Sequence, residues 1–213
     1  GIFPSVDVSY PAQDVNVRST TSDVFEIVDI EKQRVIETVE ATSAFFQIHP
    51  GASYLHQGET YLIQDLDLAG RVAYAQPQDL PYYTMTREDT NIEVLETIRT
   101  KRVGGAMVSV GRVRVTTQVV GFQRRRPVTE EVLSEEPLDL PPQAYETVAF
   151  WWNVPVDVGA MIRGQGLDFP GALHAAEHAA IGLLPLYAMC DRRDIGGLST
   201  PLHPDTGQAT IFI

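Results

Sequence analysis

The sequence predicts a mainly β (α+β) fold: an antiparallel, barrel-like sheet with one long buried C-terminal helix. Three observations carry this. Short runs rich in Val, Ile, Tyr and Phe recur from Asp23 to about Pro155, broken by turn signals every 8–12 residues. The stretch Met107–Val120 alternates with a period of two. Only Phe169–Cys190, rich in alanine and leucine, holds sustained helical character.

The elements follow in chain order. Residues 1–20 contain Pro4 and Pro11 without helical period and read as an extended linker from a preceding domain. Residues 21–155 read as a β-barrel-like accessory domain. Val24–Ile30 alternates, Glu31–Arg34 turns, and Val35–Val39 follows; Ala44–Ile48 continues the strand-and-turn pattern into a turn at His49-Pro50-Gly51. Tyr54-Leu55, a turn at His56-Gln57-Gly58, Glu59–Gln64, a turn at Leu66–Gly70 and Arg71–Ala75 complete a meander. Tyr82–Thr86 and Asn91–Glu96 extend it. His49 and His56 sit in or beside turns and read as ordinary turn or surface histidines. Leu138–Pro142 is a rigid connector, and Thr147–Asn153 is an aromatic strand suited to a core.

Residues 156–213 read as the helical start of a C-terminal domain, truncated at its C-terminal end. Val156–Ile162 forms a short helix. In the long helix that follows, Asp168 is the N-cap, Pro170 sits in the first turn and Pro185 imposes a kink. A helix apolar nearly all round is a buried one.

Composition narrows the function classes. With 213 residues and 44% apolar content the chain buries a core of one or two domains. The lone Cys190 excludes an internal disulfide framework. No signal peptide or membrane span is visible, so a cytoplasmic location and no membrane partner are expected. No phosphate-cradling G-x-x-x-x-G-K-[ST] loop occurs, so the chain as it stands is not expected to be an ATPase by itself, and no catalytic residue is assigned.

The net charge of -12 hides an asymmetry. Between Thr97 and Thr129 there is no acidic residue, while Arg99, Lys101, Arg102, Arg112, Arg114, Arg124, Arg125 and Arg126 are all basic. Val113, Val115, Thr117 and Val119 share one face of this strand, and Arg112, Arg114, Thr116 and Gln118 the other. An arginine face opposite a valine face suits a strand lying along a phosphate backbone, and it makes Arg112, Arg114, Arg124, Arg125 and Arg126 the candidate DNA-binding residues. The alternative is a solvated face whose arginines pair with acidic segments such as Glu130-Glu131 and Glu135-Glu136; both stand at this point.

His174-Ala-Ala-Glu177-His178 matches the H-x-x-E-H pattern of inverted zinc metalloproteases, which places two histidines on one helix face with Glu177 as a general base. The downstream glutamate that such a fold uses as third ligand is wanting, since none follows Glu177; Asp191, Asp194, Asp205 or His203 could substitute. The plainer expectation is hydrogen-bonded core histidines and no metal, with His174, His178 and Cys190 as the residual candidates.

Pro170-Gly-Ala-Leu-His-Ala-Ala-Glu-His-Ala through Leu184-Pro-Leu, then Cys190-Asp-Arg-Arg-Asp-Ile-Gly-Gly-Leu-Ser-Thr-Pro-Leu-His-Pro-Asp-Thr-Gly207, resembles the C-terminal region of MrfA/YprA-like DEAD/DEAH-box DNA repair helicases. Tyr10–Arg18 and His49–Gly58 are similar to the same family. The resemblance implies an accessory domain of an ATP-dependent superfamily 2, 3′-to-5′ DNA helicase. It implies ATP and Mg²⁺ in the full-length protein, zinc in a cysteine cluster beyond Ile213, and DNA as the partner. It also implies intramolecular motor, winged-helix and zinc-binding domains. A pure scaffold docking the motor to the zinc domain is the alternative, and a zinc peptidase the remote one.

Overall fold

The computed structural model describes residues 23–213; the linker expected over 1–20 and the family-like segment Tyr10–Arg18 lie outside them. Strands hold 51% of the described residues against 19% in helices, so the chain is mainly β, with a sheet curled into a half-barrel and a C-terminal helix. The strands are β1 (Val24–Asp29), β2 (Arg34–Glu40), β3 (Ser53–His56), β4 (Glu59–Asp67), β5 (Val72–Pro77), β6 (Tyr83–Val103), β7 (Ala106–Arg125), β8 (Val132–Pro137), β9 (Gln143–Asn153), β10 (Leu198–Thr200) and β11 (Thr210–Phe212). The helices are α1 (Ala41–Gln47), α2 (Val156–Gly164) and α3 (Phe169–Leu183). Two compact units result: residues up to 87 with 119–140, and residues 88–118 with 141–213.

In the first unit the sheet order is β2-β1-β5-β4-β3, antiparallel apart from the parallel pair β1–β5. Period-two alternation in β1 turns Phe25, Ile27 and Asp29 inward. Phe25 and Ile27 join Phe45, Ile48, Tyr61, Ile63 and Val119 in one apolar core. The buried Asp29 carboxylate accepts the backbone N–H groups of Glu31 and Lys32 at 2.9 and 3.0 Å and so shapes the β1–β2 turn. Burial pushes its pKa up, but those two N–H groups and the Lys32 ammonium outweigh it and hold the carboxyl below the usual range.

Two expectations change in this unit. Ala44–Ile48 belongs to α1 and its C-cap, not to a strand: Ala44, Phe45 and Ile48 bury together at helical spacing. His49 is not a surface histidine. It is 1% exposed, its ring lies 4.6 Å from that of Phe122, and its Nδ1–H donates to the Pro50 carbonyl at 3.0 Å. Burial lowers its pKa, offset in part by that carbonyl. His56 does sit at the surface, 2.7 Å from Glu37.

In the second unit the strands run β10-β11-β9-β7-β6. Gly104 and Gly105 form the tight turn between β6 and β7. The valine face of β7 is inside as the periodicity predicts: Val113 is fully buried, with Ile92, Ala149, Trp151 and Phe212. The Trp151 and Phe212 rings stack at 5.6 Å, which makes the aromatic strand β9 core. Gly111 admits the closest backbone approach in the unit, since a Cβ there would stand 2.0 Å from the Glu96 carbonyl oxygen.

Helix α3 begins as expected. Asp168 Oδ2 accepts the Gly171 N–H at 3.0 Å, and Pro170 lies in the first turn. Pro185 ends it in a 3₁₀ turn over Leu184–Leu186. Its burial is narrower than its composition suggests. Phe169, Leu173, Glu177 and Ile181 form a single buried stripe, while Ala175, Ala176, Ala179 and Leu183 are exposed.

Candidate nucleic-acid interface and the helix α3 histidines

Strand alternation places Arg112 and Arg114 on the solvent side of β7, opposite the buried Val113. Glu146 on β9 is the register partner of Arg114 and serves both arginines: its carboxylate accepts from Arg112 and from Arg114, each at 3.1 Å. Arg114 also donates to Glu93 on β6 at 3.1 Å, and Arg112 lies 3.8 Å from Glu96. The two guanidiniums thus face three carboxylates. The hydrogen bond from Arg114 is the main cause of a Glu146 pKa below the usual carboxylate range; desolvation opposes it, and Arg112 adds to the lowering.

The remaining three predicted arginines lie in the other unit. Arg124 forms a two-pronged pair with Glu136 on β8, and its guanidinium stands 5.3 Å from the centre of the Tyr82 ring. Arg126 pairs with Glu131 at 3.3 Å. Arg125 donates to the Gln123 side chain at 2.6 and 3.0 Å and has no carboxylate partner among the described residues. Four of the five predicted residues are therefore ion-paired within the chain. The acidic partners include Glu131 and Glu136, as the alternative expected, together with Glu93, Glu96 and Glu146, which sequence separation concealed.

A second basic group lies outside the arginine face of β7. Arg99, Lys101 and Arg102 near the β6 end of the hairpin are exposed, and none has a carboxylate partner among the described residues. Ile98, Val103 and Met107 are exposed beside them in sequence or across the turn. The acid-free composition of residues 97–129 was the available signal.

On α3 the expected core histidines are instead at the surface. His174 and His178 are both exposed, whereas Glu177 between them is 5% exposed. The spacing explains it: Glu177 falls on the stripe of Phe169, Leu173 and Ile181, one turn from each neighbour. Ser199 donates to Glu177 Oε2 at 2.7 Å, and His174 Nδ1 lies 3.4 Å from the same oxygen. Gly197 covers the carboxylate, since a Cβ there would come within 2.9 Å of Glu177 Cγ. A general base must face the metal-bound water, but Glu177 is turned into the protein. The peptidase arrangement is not formed.

His203 and Asp205 are committed elsewhere. His203 Nε2–H donates to the Ile92 carbonyl at 2.8 Å, its Nδ1 accepts the Asp205 N–H, and Asp205 Oδ2 accepts the Val94 N–H at 2.8 Å. Together they fasten the chain after β10 to the edge of β6. Cys190 Sγ lies 3.4 Å from the Ala188 carbonyl, outside the cluster of His174, Glu177 and His178.

The family described as the MrfA Zn-binding domain matches residues 176–213. The ATP-dependent helicase YprA of Bacillus subtilis (strain 168) is 30% identical over 211 residues, covering 96% of this chain and 27% of YprA. The ATP-dependent helicase HRQ1 of Saccharomyces cerevisiae is 28% identical over 185 residues, covering 84% of this chain and 17% of that protein. The crystal structure of the DUF1998 helicase MrfA bound to DNA superposes with a TM-score of 0.68 at 28% identity, over 96% of this chain and 27% of that one. A second MrfA crystal structure, bound to DNA and AMPPNP, gives 0.59 at 27% identity. The chain spans about a quarter of YprA and of MrfA.

The matched family's description implies zinc, and the described residues build no closed, four-ligand zinc site. Residues 176–213 offer one sulfur, Cys190, while His203 and Asp205 hold backbone groups of β6. Among the described residues the one cluster of metal-ligating side chains is His174, Glu177 and His178. By sequence and fold together, the chain is homologous to a region of the YprA and HRQ1 helicases, carries the MrfA Zn-binding domain match at 176–213, and shares the fold of the corresponding part of the MrfA helicase.

Proposed function

We propose that this chain is an accessory module of a cytoplasmic, ATP-dependent superfamily 2 DNA helicase acting in DNA repair, and that it contacts the DNA path while other domains hydrolyse ATP. The observation that carries the reading is the match, over 96% of the chain, to a helicase crystallised on DNA. The charge distribution supports it. All eight bases between Thr97 and Thr129 lie in or beside β6 and β7, and Arg99, Lys101 and Arg102 are free to meet phosphates. Arg112, Arg114, Arg124, Arg125 and Arg126 remain the proposed DNA-facing row, four of them in competition with neighbouring glutamates.

Those ion pairs favour a second reading, a scaffold whose arginines knit β6, β7, β8 and β9 together. Salt dependence of DNA binding by an intact helicase carrying this chain separates the two. Loss of Arg99, Lys101 and Arg102 flattens the log–log slope by about 2–3 if all three meet phosphates. An unchanged slope for these and for the arginine row alike leaves the scaffold.

A further inference from the structure

The two surface histidines of α3 have a geometry that neither reading uses. His174 Nε2 and His178 Nε2 face each other at 3.1 Å, with the rings 4.3 Å apart and nearly perpendicular. His174 Nδ1 is turned the other way, toward the buried carboxylate of Glu177 at 3.4 Å. Glu177 is itself held by Ser199 and covered by Gly197. With the Nδ1 proton directed at that carboxylate, His174 Nε2 of the neutral ring is a bare lone pair pointing to solvent and to His178.

In that tautomer His178 Nε2–H donates to His174 Nε2, and moving the His178 proton to its Nδ1 frees two imidazole lone pairs, at positions i and i+4, that can chelate one ion. A zinc ion bound to both at ~2.0–2.1 Å with a tetrahedral angle sets the nitrogens ~3.3 Å apart. The observed 3.1 Å lies close to that. The carboxylate behind His174 is the partner that a metal-bound histidine ordinarily has: it fixes the ring's tautomer and orientation and raises its basicity.

We propose that His174 and His178 form a two-nitrogen site for a borderline divalent transition metal, such as Zn²⁺, with Glu177 as the positioning residue behind His174. The site is distinct from a cysteine cluster, because its donors are nitrogens on one exposed helix face and Cys190 is not among them. It is open: solvent or an external donor completes the coordination, in contrast to a closed structural zinc site. Imidazole pairs discriminate against the hard ions Mg²⁺ and Ca²⁺, which take oxygen ligands.

The test is a titration of the 213-residue chain with Zn²⁺ against a chromophoric competitor, with thermal melting of the same samples. One saturable site is expected, with affinity falling about tenfold or more in His174→Ala and in His178→Ala. Both side chains are exposed, so the melting temperature without metal should stay within a degree or two of the parent's. Cys190→Ser should leave the affinity unchanged, and Glu177→Gln should lower it about 10–100-fold. Since Glu177 is buried, its variant is read only if its unloaded melting curve stays cooperative; the histidine variants decide the matter without it. Zinc binding that survives the His174→Ala, His178→Ala double change overturns the proposal. So does the absence of a saturable site, or equal binding of Mg²⁺ or Ca²⁺.

Discussion

Arg112 and Arg114 give the sharpest test of the proposed DNA-facing row, because their competitors are known. Each donates to Glu146 at 3.1 Å, and their other partners, Glu93 and Glu96, are about half exposed. Exposed pairs of this kind contribute little to stability, so a phosphate can displace the carboxylates at small cost. If both guanidiniums bind phosphate, Arg112→Ala with Arg114→Ala removes two counterion-releasing contacts. The salt slope for DNA binding then flattens by about 1.8 on duplex or 1.4 on single strands, for all sequences alike. Glu146→Gln is the mirror experiment. It removes the shared competitor and leaves both arginines in place, so binding should tighten and the slope should steepen. The assay is fluorescence anisotropy of a labelled oligonucleotide with the intact helicase, from low to physiological salt. An unchanged slope in the arginine double variant, with no tightening in Glu146→Gln, refutes the reasoning and leaves the pairs as internal ties.

Three further outcomes are expected. The purified chain shows no DNA-stimulated ATP turnover in a coupled-enzyme assay, since its sequence contains no phosphate-cradling loop. His49 makes stability pH-dependent: burial holds its folded pKa below the ordinary 6.5, so the unfolded chain takes up the proton first. Its contribution is complete above about pH 6.5 and declines as pH falls through the window between the unfolded and folded values, and melting curves of His49→Gln should lose that component. Phe212→Ala should destabilise the chain by about 3–5 kcal/mol in urea unfolding, because the ring is fully buried against Trp151 and His203.

Much of the strand content was legible because a half-buried strand writes its period into the sequence. Val113, Arg112 and Arg114 fall on the faces that alternation assigns them. Local chemistry was equally direct at Asp168 and Pro185, where capping and a missing N–H act within a single turn. What stayed hidden depends on partners far along the chain. Glu146 lies 32 residues from Arg114, and only the β7–β9 register brings them together. Glu177 reads as a surface glutamate between histidines, yet Ser199, 22 residues on, makes its burial tolerable. The short helix α1 is hidden for a local reason: Ala44–Ile48 is too brief for periodicity to separate helix from strand.

The pairing of the arginine row also bears on what kind of anion it can accept. Arg112 and Arg114 stand one strand repeat apart, about 6.6–6.8 Å, and point to the same side. One carboxylate bridges them, so a ligand that engages only one guanidinium leaves the other still held by Glu146. Two anionic groups presented together replace both contacts at once and release Glu146 as a unit. A nucleic-acid backbone, with phosphates at regular intervals along one line, meets that condition; an isolated anion does not. Free phosphate should therefore compete poorly with an oligonucleotide at this site, even at equal total phosphate. If the row meets DNA as proposed, the bridging glutamate acts less as a block on DNA than as a filter against single anions. If inorganic phosphate displaces the oligonucleotide as well in the parent as in Glu146→Gln, the bridge provides no such discrimination.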